Sequence, residues 1–73
     1  MIDTTYDPEA DAVYFRLASG KIEQTDEAGP FLYDVDAEGR VLGIEILSAS
    51  KVLAPGEWRN APLPVRPEAD AAE

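Results

Sequence analysis

The stretch DVDAEGRVLGIE, residues 34–45, separates two runs in which apolar and polar residues alternate. With Glu38 and Gly39 as a two-residue loop, Ala37 lies opposite Arg40 and the flanking strands pair in one register. In that register the pairs Val35–Leu42, Tyr33–Ile44 and Phe31–Ile46 fall on one side of the ribbon. Shifting the pairing by one residue would mix the two faces of the ribbon, so the alternation predicts both the hairpin and its register.

The same stretch has the acidic spacing of a calcium-binding EF-hand loop. An EF-hand also needs a helix on each side, but a Gly-Pro pair interrupts the upstream segment and β-branched residues follow the loop. In the hairpin the acids Asp34, Asp36 and Glu45 share one face without converging on a point. These three acids are the candidate metal ligands of the sequence, but we expect no metal site and no cofactor.

Alternation also predicts strands at residues 2–6 and 12–17, with turn residues between them. Residues 21–25 form a weaker, more polar strand at an edge of the sheet, and residues 48–53 form a short helix that a serine caps. We therefore predict a mainly β fold, a small antiparallel meander of four to five strands with a short C-terminal helix. The predicted inward residues are Val13, Phe15, Leu17, Phe31, Tyr33, Val35, Leu42, Ile44 and Ile46.

The patterning divides the chain into two parts. Residues 1–53 carry nearly all of it and form the predicted antiparallel β domain. Residues 54–73 are rich in proline and alanine, and prolines prevent a continuous helix or a central strand. We expect this second part to be a largely irregular or disordered tail.

The chain carries a formal net charge of −9 and has only six lysines and arginines. Phosphate backbones and anionic membranes are bound by these cations, so we expect neither nucleic-acid binding nor membrane binding. No signal-peptide pattern is visible and no apolar run approaches the roughly 20 residues of a membrane span, which indicates a cytoplasmic protein. A domain of 73 residues without cysteine or histidine lacks disulfides and the commonest metal ligand, which leaves self-association as a source of stability.

The sequence offers no arrangement typical of an enzyme site. A serine nucleophile needs an adjacent base, and without histidine that base would be a lysine or a carboxylate. No serine lies in a GxSxG motif, and no glycine-rich phosphate loop is present. The pair Asp34 and Asp36 suits acid–base chemistry in principle, but charged strand residues are mostly exposed to solvent. We expect no enzymatic activity.

Three residues are candidates for binding a partner protein. Tyr14 and Arg16 point outward from the strand 12–17. Trp58 is the only tryptophan and precedes an arginine, a combination enriched in binding hot spots. The alternative for Trp58 is that it packs back over the edge of the sheet, because a large aromatic side chain usually finds the nearest apolar surface.

Residues 6–17, YDPEADAVYFRL, resemble the opening motif YDPEADxxYxxL of a bacterial family, the domain of unknown function numbered 2283. Residues 34–47, followed by Ala49, Ser50 and Lys51, resemble its second motif, and two motifs in order make the resemblance fairly specific. The resemblance implies a small antiparallel β domain with no established activity and no catalytic residues. Some members look like neighbours of small toxin-like genes, which suggests an antitoxin role by association alone.

A non-enzymatic protein-interaction module is the function that these observations predict. A lone sheet with one short helix leaves much of its apolar face uncovered, so the module would form a homodimer or bind one partner protein. Two alternatives stay open. One is an antitoxin-like protein that neutralises a small basic toxin, and the other is a module that binds calcium or a small ligand at residues 34–45.

Overall fold

The structure is a computed structural model and describes residues 3–64. It confirms the predicted fold class, mainly β with a short helix after the strands. The strands are β1 (Asp3–Asp7), β2 (Ala12–Arg16), β3 (Gln24–Ala28), β4 (Phe31–Val35) and β5 (Val41–Ile46), followed by the helix α1 (Ala49–Val52) and a 3-10 helix, Glu57–Asn60. No helix among residues 3–64 has the length and apolar character needed to cross a membrane.

All five strands form one antiparallel sheet in the order β1-β2-β5-β4-β3. This order differs from that of a simple meander, because β5 lies between β2 and β4. β5 is the most aliphatic strand, and in the central position it has a neighbour on each side. The polar β3, with the sequence QTDEA, lies at an edge, as predicted for the polar strand.

The edge strand β3 occupies Gln24–Ala28 rather than the predicted residues 21–25. Gly29 has a φ of 62° and forms with Pro30 the two-residue loop between the paired residues Ala28 and Phe31. A glycine at positive φ suits such a tight hairpin loop. Once the loop is fixed there, the partners of β4 must be residues 24–28, and the residues before them connect β2 to β3.

The hairpin of β4 and β5 has the predicted register along most of its length. Two predicted pairs are confirmed, Tyr33–Ile44 and Phe31–Ile46. The predicted pair of Val35 with Leu42 is wrong, because Val35 pairs with Val41 and Leu42 is the extra residue of a β-bulge. Val35 and Leu42 are nevertheless both buried, as predicted.

The predicted and observed pairings of Val35 differ because the hairpin loop has three residues rather than two. The Asp36 N–H donates to the Arg40 carbonyl oxygen at 2.9 Å, and the Gly39 N–H donates to the Asp36 carbonyl oxygen at 2.9 Å. Gly39 has a φ of 80°, which gives the common three-residue hairpin loop, a tight turn followed by a left-handed residue. The bulge in β5 then restores the register that the additional loop residue displaces.

Pairing places the side chains of one face, the core face, in two rows that run across the strands. The covered row consists of Tyr6, Val13, Ile46, Phe31 and Ala28. The open row consists of Thr4, Phe15, Ile44, Tyr33 and Asp26. The two rows lie about 7 Å apart, because they are two residues apart along each strand.

The helix α1 and the 3-10 helix pack on the covered row. Val13, Ile46 and Ala49 form the buried cluster, and Val13 is the largest side chain with no measurable exposure. Leu53 and Trp58 pack against this cluster from the segment that follows α1. The predicted short helix at residues 48–53 is therefore confirmed, and its role is to cover one end of the sheet.

The prediction that Leu17 faces inward is wrong. Leu17 follows the end of β2 and is 39% exposed, because the chain leaves the sheet there toward β3.

Part of the predicted tail, residues 54–73, packs on the sheet. Its 3-10 helix contacts β1, and the Pro62 carbonyl oxygen accepts a hydrogen bond from the Tyr6 N–H at 2.9 Å. The rest of the predicted tail, residues 65–73, lies outside the described residues.

Candidate functional site

The face opposite the core face, the polar face, contains a hydrogen-bonded group that spans four strands. The Tyr14 hydroxyl on β2 donates to Asp34 Oδ2 on β4 at 2.7 Å, and the Thr25 hydroxyl on β3 donates to Asp34 Oδ1 at 2.7 Å. Gly43 on β5 lies beneath the Tyr14 side chain, and a Cβ atom there would be 2.0 Å from the Tyr14 hydroxyl oxygen. Glycine is therefore required for Tyr14 to reach Asp34.

The environment of Tyr14 changes its acidity. Burial against the sheet, together with the hydrogen bond to the Asp34 carboxylate, raises the pKa of Tyr14 to about 12. Tyr14 therefore stays a protonated donor at neutral pH. Each oxygen of Asp34 accepts one of these hydrogen bonds, so a single carboxylate joins β2, β3 and β4 across the polar face.

A second polar cluster links the turn between β1 and β2 to the start of α1. The Asp11 carboxylate accepts hydrogen bonds from the Ser50 N–H at 3.1 Å, the Ser50 hydroxyl at 2.7 Å and the Tyr6 hydroxyl at 2.9 Å. The Asp11 carbonyl oxygen accepts from the Ala49 N–H at 2.8 Å. Asp11 thus satisfies the first N–H groups of α1 from a distant part of the sequence.

This cluster corrects the predicted serine cap of the helix. Ser48 occupies the position before α1, but its side chain makes no capping hydrogen bond, and its φ is 52°. Asp11 also has a positive φ, 54°, a conformation that Asp and Asn tolerate better than most residues. Sequence reasoning assigned Asp11 only to turn chemistry, because the helix that it caps begins at Ala49, far from Asp11 in the chain.

The hydrogen bonds of the cluster shift two pKa values in opposite directions. The Ser50 hydroxyl, followed by the Tyr6 hydroxyl, stabilises the charged carboxylate and lowers the pKa of Asp11 below its usual range. The same Asp11 carboxylate raises the pKa of Tyr6, since the hydrogen bond favours the protonated phenol. At neutral pH both groups are in the forms that the cluster requires.

The lowered pKa of Asp11 predicts a loss of stability in acid. A carboxyl group whose pKa is lower in the folded state contributes stability above its unfolded value, 3.8, and loses it as the pH falls through the folded value. We expect Asp11→Asn to lower the urea midpoint at pH 7 and to flatten its fall between pH 5 and pH 2. Glu9→Gln, at an exposed position of the same turn, leaves the hydrogen bonds of the cluster intact and is the control; it should unfold like the wild type. An unchanged pH dependence in Asp11→Asn would contradict the assignment.

The candidate metal ligands lie in separate environments. Asp34 is held on the polar face by Tyr14 and Thr25. Asp36 lies in the hairpin loop, where Oδ1 accepts the N–H groups of Glu38 and Arg40, each at 2.9 Å, and these backbone hydrogen bonds lower its pKa. Glu45 lies opposite Leu32 and Tyr14. Within residues 3–64, no three His, Cys, Asp or Glu side chains come together as a metal would require.

The partner-binding candidates are also placed separately. Tyr14 and Arg16 lie on the polar face, as their outward position predicted. Trp58 lies at the opposite face, where its ring contacts Tyr6 edge-on with centroids 5.1 Å apart and its indole N–H donates to the Ala54 carbonyl oxygen at 2.7 Å. Arg59 lies 5.3 Å from the Trp58 ring centre. Of the two alternatives for Trp58, the structure shows packing over the sheet.

The open row is the apolar surface that the rest of the described chain leaves partly uncovered. The covered row contains the buried Val13 and Ile46, whereas no residue of the open row is buried. Half-buried residues occur in both rows, and Phe15 and Ile44 of the open row also pack against the buried cluster. Apart from Asp26 at the β3 end, the row carries no charge. Sequence reasoning placed Phe15, Tyr33 and Ile44 on one face correctly, but it could not divide that face into a covered row and an open row.

Comparison with known proteins identifies a family. Residues 3–50 match the family described as Protein of unknown function (DUF2283), and this match includes all five strands. No curated protein and no solved structure matches the chain. The residues matched include Asp11, Tyr14 and Asp34 of the two polar clusters, and Gly43 beneath the Tyr14 ring. Because the match covers more than half of the sequence, the chain belongs to the DUF2283 family of proteins of unknown function.

Proposed function

We propose that the chain is a non-enzymatic protein-interaction module that forms a homodimer through the open row. The observation that carries the proposal is the separation of charge between the two faces of the sheet. Of the charged strand residues, only Asp26 lies on the core face, and the others are Asp3, Asp7, Arg16, Glu27, Asp34 and Glu45 on the polar face. Two copies with a net charge of −9 can approach closely only through a surface that is nearly neutral.

The small size of the domain supports the same proposal. Its buried core is limited to a few small and medium side chains, and a single core of this size rarely contributes more than about 3–5 kcal/mol. The chain has no cysteine for a disulfide. Removing the half-buried Phe15, Tyr33 and Ile44 from water in a dimer would add about 25 cal/mol for each Å² of apolar surface buried.

The polar clusters support a structural rather than a catalytic role for their acids. Asp34 and Asp11 each accept several hydrogen bonds from the chain itself, and these bonds join separate strands or join the sheet to α1. A general base would have to be directed at a substrate proton, whereas these carboxylates are directed at donors of the chain itself. The proposed function therefore rests on the core face, and the polar face serves to hold the sheet together.

Light scattering at micromolar concentration tests the proposal. We expect a mass of about twice 7.9 kDa for the full chain, with dissociation on dilution. A chain that has the monomer mass across the whole concentration range would contradict the homodimer.

A single substitution in the open row is expected to weaken the dimer. Tyr33 is half-buried and does not belong to the buried cluster, so Tyr33→Glu places a charge in the proposed interface with little effect on the core. We expect this variant to be a folded monomer at concentrations at which the wild type is dimeric, because an unpaired charge in an interface costs several kcal/mol. Val41→Glu is the control at a strand residue outside the open row and should remain dimeric; Val41 is 40% exposed.

A further inference from the structure

The two edge strands of the sheet differ in how much of the described chain covers them. The 3-10 helix contacts β1, and the Tyr6 N–H of this strand donates outward to the Pro62 carbonyl oxygen at 2.9 Å. In contrast, β3 has β4 as its neighbour in the sheet, and all five of its residues are exposed. Among residues 3–64, the open edge of the sheet is therefore the outer edge of β3.

The backbone groups at this open edge follow from the alternation of hydrogen bonds along a strand. The Pro30 carbonyl oxygen accepts a hydrogen bond at 3.1 Å from the residue that follows β5, so the next residue, Phe31, directs its backbone groups at β3. Phe31 pairs with Ala28, whose backbone groups are thus directed at β4. By the same alternation, Thr25 and Glu27 direct their N–H and carbonyl groups away from the sheet. None of the turn and loop hydrogen bonds within residues 3–64 involves these four groups.

The open edge carries negative charge on both faces of the sheet. Glu27 lies on the polar face, Asp26 lies on the core face, and Glu23 directly precedes the strand. The ion pairs within residues 3–64 both lie at the loop between β4 and β5, so none of them neutralises these three carboxylates. Backbone donors and acceptors at this edge are therefore flanked by acids.

A second copy of β3 does not fit this edge. Only Thr25 and Glu27 have outward backbone groups, so two copies can pair about a two-fold axis in three registers. With Thr25 opposite Glu27, Asp26 lies opposite its own copy. With Glu27 opposite its own copy, two glutamates meet directly, and with Thr25 opposite its own copy, Glu27 lies beside Glu23. Like charges directly opposite each other destabilise a strand pair, so each register is unfavourable.

We propose that β3 accepts an extended segment of a different protein as a sixth strand of the sheet, and that this segment carries lysine or arginine at two neighbouring positions. Strand addition at an exposed edge is a common mode of peptide recognition, in which main-chain hydrogen bonds give affinity and side chains give specificity. Acids that keep an edge from pairing with its own copies attract a strand of opposite charge. Since neighbouring strand residues lie on opposite faces, one cation lies beside Glu27 and the next beside Asp26.

A basic peptide of high β propensity is the probe for this site. We use the hexapeptide Thr-Val-Arg-Lys-Val-Thr, and the same peptide with two glutamates in place of its cations is the control. Calorimetric titration of the full chain should show binding of the basic peptide that weakens as salt rises, and no binding of the acidic one. Amide hydrogen exchange at Thr25 and Glu27 should slow when the basic peptide binds, because their N–H groups become donors to it.

Two substitutions of Glu27 separate its charge from its backbone donor. Glu27→Gln removes the charge and keeps the N–H, and we expect it to raise the dissociation constant of the basic peptide about two- to fivefold. Glu27→Pro also removes the outward N–H, and it should raise the constant about tenfold or more. Circular dichroism should show that Glu27→Pro is folded, because an edge strand tolerates proline where its N–H faces solvent. Glu9→Gln, which removes a charge in the turn between β1 and β2, should bind like the wild type.

The outcomes decide the proposal independently of the homodimer, which uses the open row. Equal dissociation constants for Glu27→Pro and Glu27→Gln would reduce the contact to charge attraction and overturn strand addition. A basic peptide that does not bind at millimolar concentration, or that binds without slowing exchange at Thr25 and Glu27, would overturn it too. Slow exchange at both residues in the peptide-free dimer would place a second copy on this edge, with the same consequence. A monomeric wild type that binds the basic peptide as described would contradict the homodimer alone.

Discussion

We expect the Val13→Asp chain to be unfolded in water at 25 °C. Val13 has no measurable exposure and lies at the centre of the buried cluster, between Tyr6 and Ile46 in the covered row and beneath Ala49 of α1. A carboxylate at this position would have no cation beside it, because the cluster consists only of apolar and aromatic side chains. An uncompensated buried charge costs several kcal/mol, which is comparable with the entire stability of a domain of this size.

Circular dichroism and urea titration would measure this effect. Val41→Asp is the matched control, since it makes the same substitution at a strand residue that is 40% exposed, and we expect a change within about 1 kcal/mol. Val13→Ala should give an intermediate loss of about 2–3 kcal/mol from the lost methyl groups and the remaining cavity. A Val13→Asp chain that unfolds at the same urea concentration as the wild type would show that the covered row is not the core.

The parts of the fold that the sequence predicts are those determined by local alternation. In the β4–β5 hairpin, apolar residues two apart must share a face, so Tyr33–Ile44 and Phe31–Ile46 follow from the pattern alone. The loop is less determined, because Gly39 can serve a two-residue or a three-residue turn. The structure contains the longer loop together with a compensating bulge, and both versions leave Val35 and Leu42 on the core face.

The parts that the sequence does not predict depend on contacts between distant segments. The place of β5 between β2 and β4 depends on its pairing with β2, which is distant in the sequence. The capping of α1 joins Asp11 to Ser50 across 39 positions, and neither residue has a local signal for this contact. The hydrogen bond from Tyr14 to Asp34 similarly spans 20 positions.

The candidate interaction surface was predictable in composition but not in extent. The alternating residues correctly identify Phe15, Tyr33 and Ile44 as apolar side chains of one face. Which of the two rows is covered depends on where α1 and Trp58 pack, and that position is determined by Asp11 and Tyr6. The open row is therefore a consequence of tertiary contacts.

Gly43 is expected to be the most sensitive position of the polar face. A Cβ at this residue would lie 2.0 Å from the hydroxyl oxygen of Tyr14 and 2.5 Å from its Cζ atom, so Gly43→Ala must displace the ring. The displaced ring loses its hydrogen bond to the Asp34 carboxylate, which is worth about 1.5–3 kcal/mol as a bond to a charged group. We expect a loss of this size in the free energy of unfolding, measured by urea titration.

A double-mutant cycle with Tyr14→Ala separates this cause from the ordinary effect of alanine in a strand. Without the Tyr14 ring the Cβ has room on that side, and alanine is then favoured over glycine by about 0.5–1 kcal/mol because the unfolded chain has less freedom. Gly43→Ala should therefore destabilise the wild type and stabilise the Tyr14→Ala chain, a reversal of sign that additive effects cannot produce. Titration of tyrosine absorbance should also show the midpoint of Tyr14 falling from about 12 toward 10 in Gly43→Ala. Equal losses in both backgrounds would instead assign the cost to the nearby Phe15 carbonyl oxygen, which lies 3.1 Å from the added Cβ.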